Sequence, residues 1–312
     1  MNPLSDAPSR HLLTLHDMPR ERLIALLDRA QQFADGADAA DALRGMAVCT
    51  LFFEPSTRTR LGFQRAAQRL GADLLAFEAA TSSTTKGETA ADTFRNIQAM
   101  GVRGFVVRHR DDGAVAALAG LADAGVAVIN AGDGRSDHPT QGLLDMLTLR
   151  QAKGDAWSAL SVAIVGDIRH SRVANSDVQA LRVLGVRDIR LCGPKALLPD
   201  AAAAEGCAIG TDLDAALDGV DAIVMLRLQR ERMADGLVPS LDDYHRDYGL
   251  TDTRLRRAAP DAVVLHPGPI NRGVEITDAV ADGPQSRILQ QVRNGVAVRM
   301  AVLEAALAGG AG

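Results

Sequence analysis

Hydroxyl and guanidinium side chains alternate within residues 52–60, which read Phe-Phe-Glu-Pro-Ser-Thr-Arg-Thr-Arg. Apolar residues at helical spacing follow, so this stretch is predicted to join a strand to a helix. At a helix start the backbone N–H groups lack partners and the helix dipole is positive. The side chains placed there are Ser56, Thr57, Arg58, Thr59 and Arg60. Hydroxyls and guanidinium groups suit phosphate oxygens, so we predict a site for a small phosphorylated anion. An ordinary N-cap with surface arginines is the alternative.

Four further groups of residues could take part in chemistry. They are the polar loop 81–89 with its Lys-Gly pair, Arg108 at the end of a Val-rich run, the segment Asp-His-Pro-Thr-Gln-Gly at 137–142, and the arginine-rich stretch 227–232. The histidine of the third group stands just before a proline at a predicted helix start, where its side chain can point into a cleft. Taken singly, each group could also be a solvated loop, a helix cap or a charged helix start.

Residues 162–172, Val-Ala-Ile-Val-Gly-Asp-Ile-Arg-His-Ser-Arg, superficially match a dinucleotide-binding turn. Asp167 and Arg169 follow the glycine, so the G-x-G-x-x-G spacing is absent. An NAD-binding protein is therefore disfavoured. A later loop, His-Pro-Gly-Pro at 266–269, is rigid and has main-chain carbonyls that can face a ligand. Its X–Pro bonds permit a cis peptide.

Short apolar runs alternate with helical stretches along the chain. Continuous Val/Ile/Leu runs of this kind predict parallel sheets covered on both faces. The polar stretch Gln151–Ala159 precedes a fresh βαβ pattern, which places a domain boundary after residue 150. The predicted strands are Val48–Phe53, Gly104–Arg108, Val126–Asn130, Ser161–Val165, Asp188–Cys192, Ala222–Leu226 and Ala262–Leu265. Five of these strands end in polar or special residues, and ligands bind at such ends in α/β folds.

Composition limits the classes of function. The 312 residues are 47% hydrophobic and 23% charged, which is ordinary for a globular enzyme of two domains. A net charge of −5 and 3% aromatic residues argue against nucleic-acid binding. Three widely separated cysteines indicate a reducing cytoplasm and neither a disulfide framework nor a zinc site. The sequence has no signal-peptide pattern, and no run approaches the roughly 20 apolar residues that cross a bilayer.

The motifs and their order along the chain resemble those of the transcarbamoylases. The resemblance extends from about residue 10 to 308. Ser-Thr-Arg-Thr-Arg is similar to their carbamoyl-phosphate signature, and His-Pro-Thr-Gln is matched in full. The Ser…Lys-Gly-Glu-Thr loop and the arginine-rich stretch resemble the aspartate-specific branch. Ornithine-specific members instead have a His-Cys-Leu-Pro loop and a Ser-Met-Gly element. Several arginines suit a dicarboxylate acceptor and would repel a cationic one.

The resemblance implies transfer of the carbamoyl group from carbamoyl phosphate to the amine of L-aspartate, the second step of de novo pyrimidine biosynthesis. The amine would attack directly, with oxyanion stabilisation and without a covalent intermediate. The catalytic residues implied are Arg58, Thr59, Lys86, Arg108 and His138. Carbamoyl phosphate would be bound by these and by Ser56, Thr57, Ser82, Gln141, Gly268 and Pro269. Aspartate would be bound by Lys86, Arg172, Arg227 and Gln229, while Glu54 would pair with Arg232 and Arg172 on domain closure.

The resemblance also implies the architecture and the assembly. The fold class is α/β, with two doubly wound parallel-sheet domains joined by interdomain helices. Residues 1–150, joined by the C-terminal helix 288–312, would bind carbamoyl phosphate, and residues 151–287 would bind aspartate. The chain would form a homotrimer in which the Lys86 loop reaches the neighbouring subunit's site. No metal or cofactor is implied, and a regulatory or dihydroorotase-like partner chain is left open.

Three competing functions remain at this stage. The chain could be a transcarbamoylase that acts on ornithine or an acylated ornithine. It could be a phosphate-binding or scaffold relative without activity, although every matched motif position is filled. An NAD-binding protein is the third, and the broken glycine spacing disfavours it.

Overall fold

Parallel sheets form the framework of the chain. The computed structural model describes residues 10–16, 18–78, 87–202, 204, 206–228 and 240–308. The strands in these ranges are β1 (Ala47–Phe52), β2 (Asp73–Glu78), β3 (Val102–His109), β4 (Ala127–Asp133), β5 (Ser161–Val165), β6 (Asp188–Cys192), β7 (Ala208–Gly210), β8 (Ala222–Met225) and β9 (Val263–Leu265). One sheet has the order β2-β1-β3-β4 and the other β7-β6-β5-β8-β9. Every neighbouring pair is parallel, which confirms the predicted α/β class.

Helices follow the strands along the chain. They are α1 (Arg20–Ala34), α2 (Thr57–Arg69), α3 (Ala90–Ala99), α4 (Ala114–Ala119), α5 (Pro139–Lys153), α6 (Arg172–Leu184), α7 (Leu213–Leu217), α8 (Leu241–Tyr248), α9 (Asp252–Leu255), α10 (Asp278–Ala281) and α11 (Ile288–Leu307). Among the residues described, no helix has both the length and the apolar character that a membrane crossing needs.

The chain divides into two compact units. The first unit consists of Ile24–Thr140, the N-terminal stretch up to Leu15, and the chain from Gly295 onward. The second consists of Gln141–Asn294 together with His16–Leu23. The predicted domain boundary after residue 150 lies in the last turn of α5.

Each unit has its own apolar core around its sheet. In the first, Phe94 of α3 and Phe105 of β3 are fully buried, with ring centroids 4.3 Å apart. In the second, Ile223 and Met225 of β8 and Leu217 of α7 are fully buried in one cluster. Burying an apolar side chain of this size contributes about 1.5–3 kcal/mol. These contacts therefore hold the strands in place, and with them the loops at the strand ends.

The seven predicted strands are all present, whereas β2 and β7 were not predicted. Both are edge strands. The residues of β2 are half-buried or exposed, and the three residues of β7 are exposed. β7 has only three residues, all exposed, so it is too short to give a strand pattern. β2 does contain an apolar run, at residues 74–77, and the sequence reasoning overlooked it.

Gly166 follows β5, where a side chain would not fit. Its φ is +132°, and a Cβ would lie 3.0 Å from Leu226 Cβ and 3.2 Å from Tyr244 Oη. A glycine here is explained by the close approach of the protein's own side chains. The single glycine of the broken dinucleotide pattern therefore has a packing role.

Candidate active site

The first turn of α2 presents the predicted anion-binding side chains. Ser56 is the N-cap residue and has extended backbone, yet its side chain makes no cap hydrogen bond. Thr57 and Arg58 are exposed in the first turn, whereas Thr59 is buried. The N–H groups at this helix start are thus accompanied by hydroxyl groups and a guanidinium, which is the donor set that a phosphate requires.

Thr59 and His138 meet inside the first unit. Thr59 Oγ1 lies 3.4 Å from His138 Nε2, and both side chains are buried. His138 stands directly before Pro139, the first residue of α5, as the sequence predicted. Two groups that can donate hydrogen bonds are therefore brought together from elements about 80 residues apart.

Arg108 lies at the carboxyl end of β3 in the first sheet. β1 and β3 pair in parallel with Phe52 opposite Arg108, so Glu54 follows at the carboxyl ends of both strands. Arg108 Nε lies 2.6 Å from Glu54 Oε1, and Arg108 Nη1 donates to the Ala131 carbonyl at 3.0 Å. The guanidinium is largely buried, with its side chain 12% exposed, and a carboxylate holds it.

Arg60 has a different environment from Arg58, although the two alternate in one helical turn. Arg60 Nη1 lies 2.9 Å from Glu78 Oε1 at the end of β2, and both side chains are at least one-third exposed. β2 was not predicted, so the partner of Arg60 at its end was not predicted either. We therefore assign Arg60 to an ion pair and leave it out of the anion site.

In the second unit, two predicted aspartate-binding arginines follow neighbouring strands of the sheet. Arg172 is the first residue of α6, whose N-cap Ser171 accepts a hydrogen bond from Ala174 N–H. Arg227 follows β8, and its Nε is buried without a hydrogen-bond partner among the described residues. A buried guanidinium nitrogen without a partner carries a desolvation cost that an anionic ligand can offset.

The loop 266–269 is held by its own histidine. His266 Nδ1 accepts from the Gly268 N–H at 2.8 Å, so the proton is on Nε2, which donates to Glu275 Oε1 at 3.1 Å. The same carboxylate oxygen accepts from the Asn271 N–H at 2.7 Å. The Gly268–Pro269 peptide is cis, and Gly268 has a φ of +67°. The backbone that carries the predicted ligand-facing carbonyls is therefore fixed at both ends.

A buried carboxyl pair accompanies Gln141, and the sequence reasoning missed it. Gln141 Nε2 lies 3.1 Å and 3.2 Å from the two oxygens of Asp145, and Gln291 Nε2 donates to Asp145 Oδ1 at 2.6 Å. Asp177 of α6 is fully buried against Asp145, and desolvation together with that neighbouring charge raises the pKa of Asp177 well above its ordinary value. The spacing of 141 and 145 was a usable signal, because residues four apart share a helix face.

The shift of Asp177 makes a prediction about stability. A carboxyl whose folded-state pKa is raised binds protons that the unfolded state has released, so stability falls as pH rises above the ordinary value of 3.8. Asp177→Asn removes this penalty, and we expect the variant to be more stable than wild type at pH 8. The gain should shrink as the pH approaches 4, measured as urea midpoints at several pH values.

Asp188→Asn is the matched control for that experiment. Its hydrogen bond with Arg190 lowers the pKa of Asp188, so its contribution has the opposite sign. This variant should lose stability at neutral pH and recover towards wild type as the pH falls. If Asp177→Asn gains stability by an amount that does not change with pH, the raised pKa of Asp177 is not the cause.

The thiols offer no activated nucleophile. Burial raises the pKa of Cys49 and of Cys192 to about 12, and burial also raises the pKa of Cys207. All three are therefore protonated at neutral pH. Four predicted site residues, Ser82, Lys86, Gln229 and Arg232, lie outside the described residues.

Two family profiles match consecutive parts of the chain. The one described as aspartate/ornithine carbamoyltransferase, carbamoyl-P binding domain, matches residues 10–151. The one described as aspartate/ornithine carbamoyltransferase, Asp/Orn binding domain, matches residues 158–306. The matches cover both compact units and nearly all of the described chain.

Curated relatives and solved structures agree with these matches. The aspartate carbamoyltransferase catalytic subunit of Stenotrophomonas maltophilia (strain K279a) is 69% identical over 303 residues, which is 96% of each chain. The protein of the same name from Xanthomonas oryzae pv. oryzae (strain MAFF 311018) is 68% identical over 97% of this chain and 98% of its own.

Two solved structures share the fold over nearly all of their length. Aspartate transcarbamoylase from Trypanosoma cruzi in complex with carbamoyl phosphate is 29% identical, with a TM-score of 0.84 and 95% of each chain covered. Ornithine carbamoyltransferase from Thermus thermophilus is 28% identical, with a TM-score of 0.85, over 96% of this chain and 99% of its own.

Proposed function

We propose that this chain, which belongs to the family of aspartate and ornithine carbamoyltransferases, transfers the carbamoyl group of carbamoyl phosphate to the amine of L-aspartate. The products are N-carbamoyl-L-aspartate and phosphate, in the second step of de novo pyrimidine biosynthesis. The chain is a carbamoyl-group transferase, as its relatives are. The acceptor needs its own argument, because solved structures of comparable similarity include both an aspartate and an ornithine enzyme.

The observation that carries the proposal is the donor cluster of the first unit. Thr59 Oγ1 and His138 Nε2 lie 3.4 Å apart, and both side chains are buried. Arg108 is the next-to-last residue of β3, the strand beside β1. In the proposed reaction these three groups face the carbonyl oxygen of carbamoyl phosphate. That oxygen gains negative charge when the amine attacks, so donors fixed beforehand stabilise the transition state more than the substrate.

The phosphate group is assigned to the first turn of α2. Ser56, Thr57 and Arg58 supply donors there, and Ser82 and Lys86 complete the set in the proposal. Carbamoyl phosphate is already an activated acyl donor, so the amine attacks the carbonyl carbon directly and phosphate leaves from the tetrahedral intermediate. The buried, protonated thiols agree with a mechanism that has no covalent intermediate.

Aspartate is assigned to the second unit. Arg172 and Arg227, with Gln229, form charge-assisted hydrogen bonds to its carboxylates. The buried Nε of Arg227, which has no hydrogen-bond partner among the described residues, supports this role. Lys86 contributes from the neighbouring subunit. The backbone carbonyls at Gly268 and Pro269 accept from the carbamoyl amide, and Gln141 binds the same amide. Domain closure pairs Glu54 with Arg232 and with Arg172.

The proposal extends to the assembly and the compartment. We infer a homotrimer with active sites shared between subunits, located in the cytoplasm. Buried free thiols are typical of a reducing compartment, and Cys49 and Cys192 are both buried. A regulatory or dihydroorotase-like chain is a compatible partner, since the curated relatives are named catalytic subunits.

Product formation by the purified chain tests the function. With carbamoyl phosphate, we expect carbamoyl-aspartate from L-aspartate and at least about 100-fold less product from L-ornithine, because the arginines attract one side chain and repel the other. Chromatography of the products distinguishes the two. Citrulline as the main product would overturn the choice of acceptor, and no product with either amine would overturn the assignment as an active transferase.

A further inference from the structure

A chain of buried hydrogen bonds joins Gln141 to the loop 266–269, and Asp145 is at its centre. Asp145 accepts from Gln141 and from Gln291, as described above. Gln291 Oε1 in turn accepts from the backbone N–H of His266 at 2.9 Å. All of these residues belong to the second unit. The network therefore connects the two parts of that unit that the proposed function assigns to the carbamoyl amide.

The carboxylate of Asp145 decides which way the amide of Gln141 points. An amide has an oxygen and an NH₂ of almost equal size, and either can face a given neighbour. An ionised carboxylate can only accept hydrogen bonds, so the NH₂ of Gln141 turns towards Asp145. The Oε1 atom is then the one presented to a ligand. An oxygen acceptor matches the NH₂ of carbamoyl phosphate and does not match a methyl group in the same place.

Asp177 lets Asp145 keep its charge in a buried site. Two ionised carboxylates in contact and away from water would repel each other strongly, so only one of the pair is ionised. Asp145 accepts from two amide NH₂ groups, whereas neither oxygen of Asp177 has a hydrogen-bond donor among the described residues. The proton is therefore on Asp177, which donates to Asp145.

From this geometry we propose that Asp145 is a positioning residue for recognition of the carbamoyl amide. It orients Gln141, it ties Gln141 through Gln291 to the His266 loop, and Asp177 serves as its neutral hydrogen-bond donor. The proposal rests on the proposed function, because it names what the network recognises. In this proposal Asp145 does not touch the substrate, yet it makes the site select an NH₂ group over a methyl group.

Binding of two ligands that differ in that group tests the proposal. Acetyl phosphate carries a methyl group where carbamoyl phosphate carries NH₂. For Asp145→Asn, whose amide no longer enforces the orientation of Gln141, we expect about 10- to 100-fold weaker binding of carbamoyl phosphate by calorimetry. Acetyl phosphate should change by less than about twofold, because its phosphate contacts are unaffected. Asp177→Asn keeps a neutral donor and should preserve the wild-type ratio of the two affinities.

Two further variants separate positioning from general loss of structure. Thr148→Val removes the buried Asn294–Thr148 hydrogen bond, which joins the same two helices one turn further on. It should lower stability and leave the ratio of affinities unchanged. Gln291→Met removes one donor to Asp145 and the hydrogen bond to His266, but it leaves the contact of Asp145 with Gln141. It should therefore reduce the ratio of the two affinities less than Asp145→Asn does. Gln291→Met also provides the measurement if Asp145→Asn does not fold.

Each outcome is decisive. Equal weakening of both ligands, or of neither, in Asp145→Asn would overturn the positioning role. If Asp177→Asn lowers the ratio of the affinities for carbamoyl phosphate and acetyl phosphate, the assignment of the proton to Asp177 is wrong. If wild type binds carbamoyl phosphate no better than acetyl phosphate, the network recognises no amide and the inference fails. The proposed function fails separately, in the product assay with L-aspartate.

Discussion

Arg58→Ala is expected to lower kcat/KM for carbamoyl phosphate by about 10²- to 10³-fold, the loss seen when one charge-stabilising donor is removed from a transition state. The departing phosphate gains negative charge as its bond to carbon breaks, and a guanidinium stabilises that charge with two parallel hydrogen bonds. Arg58 is in the first turn of α2, beside the N–H groups of the helix start. Alanine is a good helix former, so the helix should be retained. Initial rates at saturating L-aspartate measure the effect.

Arg60→Ala is the matched control for this experiment. It removes the same side chain two residues further along the same turn, where the guanidinium pairs with Glu78 at a partly exposed site. Such pairs contribute little, so kcat/KM should fall by less than about threefold. Equal losses in the two variants would mean that the anion is not bound where we place it.

Recovery of activity from two inactive chains is the second large effect that we expect. Lys86→Ala and Arg58→Ala should each be nearly inactive alone. If Lys86 acts in the neighbouring subunit's site, some sites of a mixed trimer combine an intact lysine loop with an intact Arg58. Random equimolar mixing should then restore about a quarter of wild-type activity, since each of two adjacent chains must be of the right kind.

The control for mixing uses two residues that the proposal assigns to one chain. Arg58→Ala and Arg108→Ala both alter the first unit, so no mixed site contains both arginines and no activity should return. Dissociation and reassembly of the mixture, followed by the assay with L-aspartate, gives the result. Equal recovery in both mixtures, or in neither, would contradict active sites shared between subunits.

The sequence predicted those features that have a local signal. The helix start at Thr57 was visible from hydroxyls before a helical pattern, and β5 and β6 were predicted to the residue. The histidine before Pro139 was also placed correctly at a helix start. Each of these depends on neighbours in the chain, which is the information that a sequence pattern contains.

Features that depend on distant partners were not predictable in the same way. Arg58 and Arg60 look equivalent in sequence, and the partner that distinguishes Arg60 is Glu78, at the end of the unpredicted strand β2. The contact of Asp177 with Asp145 joins two helices, and no spacing within one helix reveals it. The 141–145 spacing could have been noticed, but it could not show that the carboxylate is buried.

The ion pair between Arg108 and Glu54 has a consequence for how a ligand binds. The guanidinium already has an anion beside it, contributed by the chain itself, at 2.6 Å. A substrate oxygen that binds Arg108 therefore competes with this carboxylate, and the measured affinity reflects the difference between the two interactions. Glu54 thus acts as an internal competitor for any ligand oxygen that approaches this guanidinium.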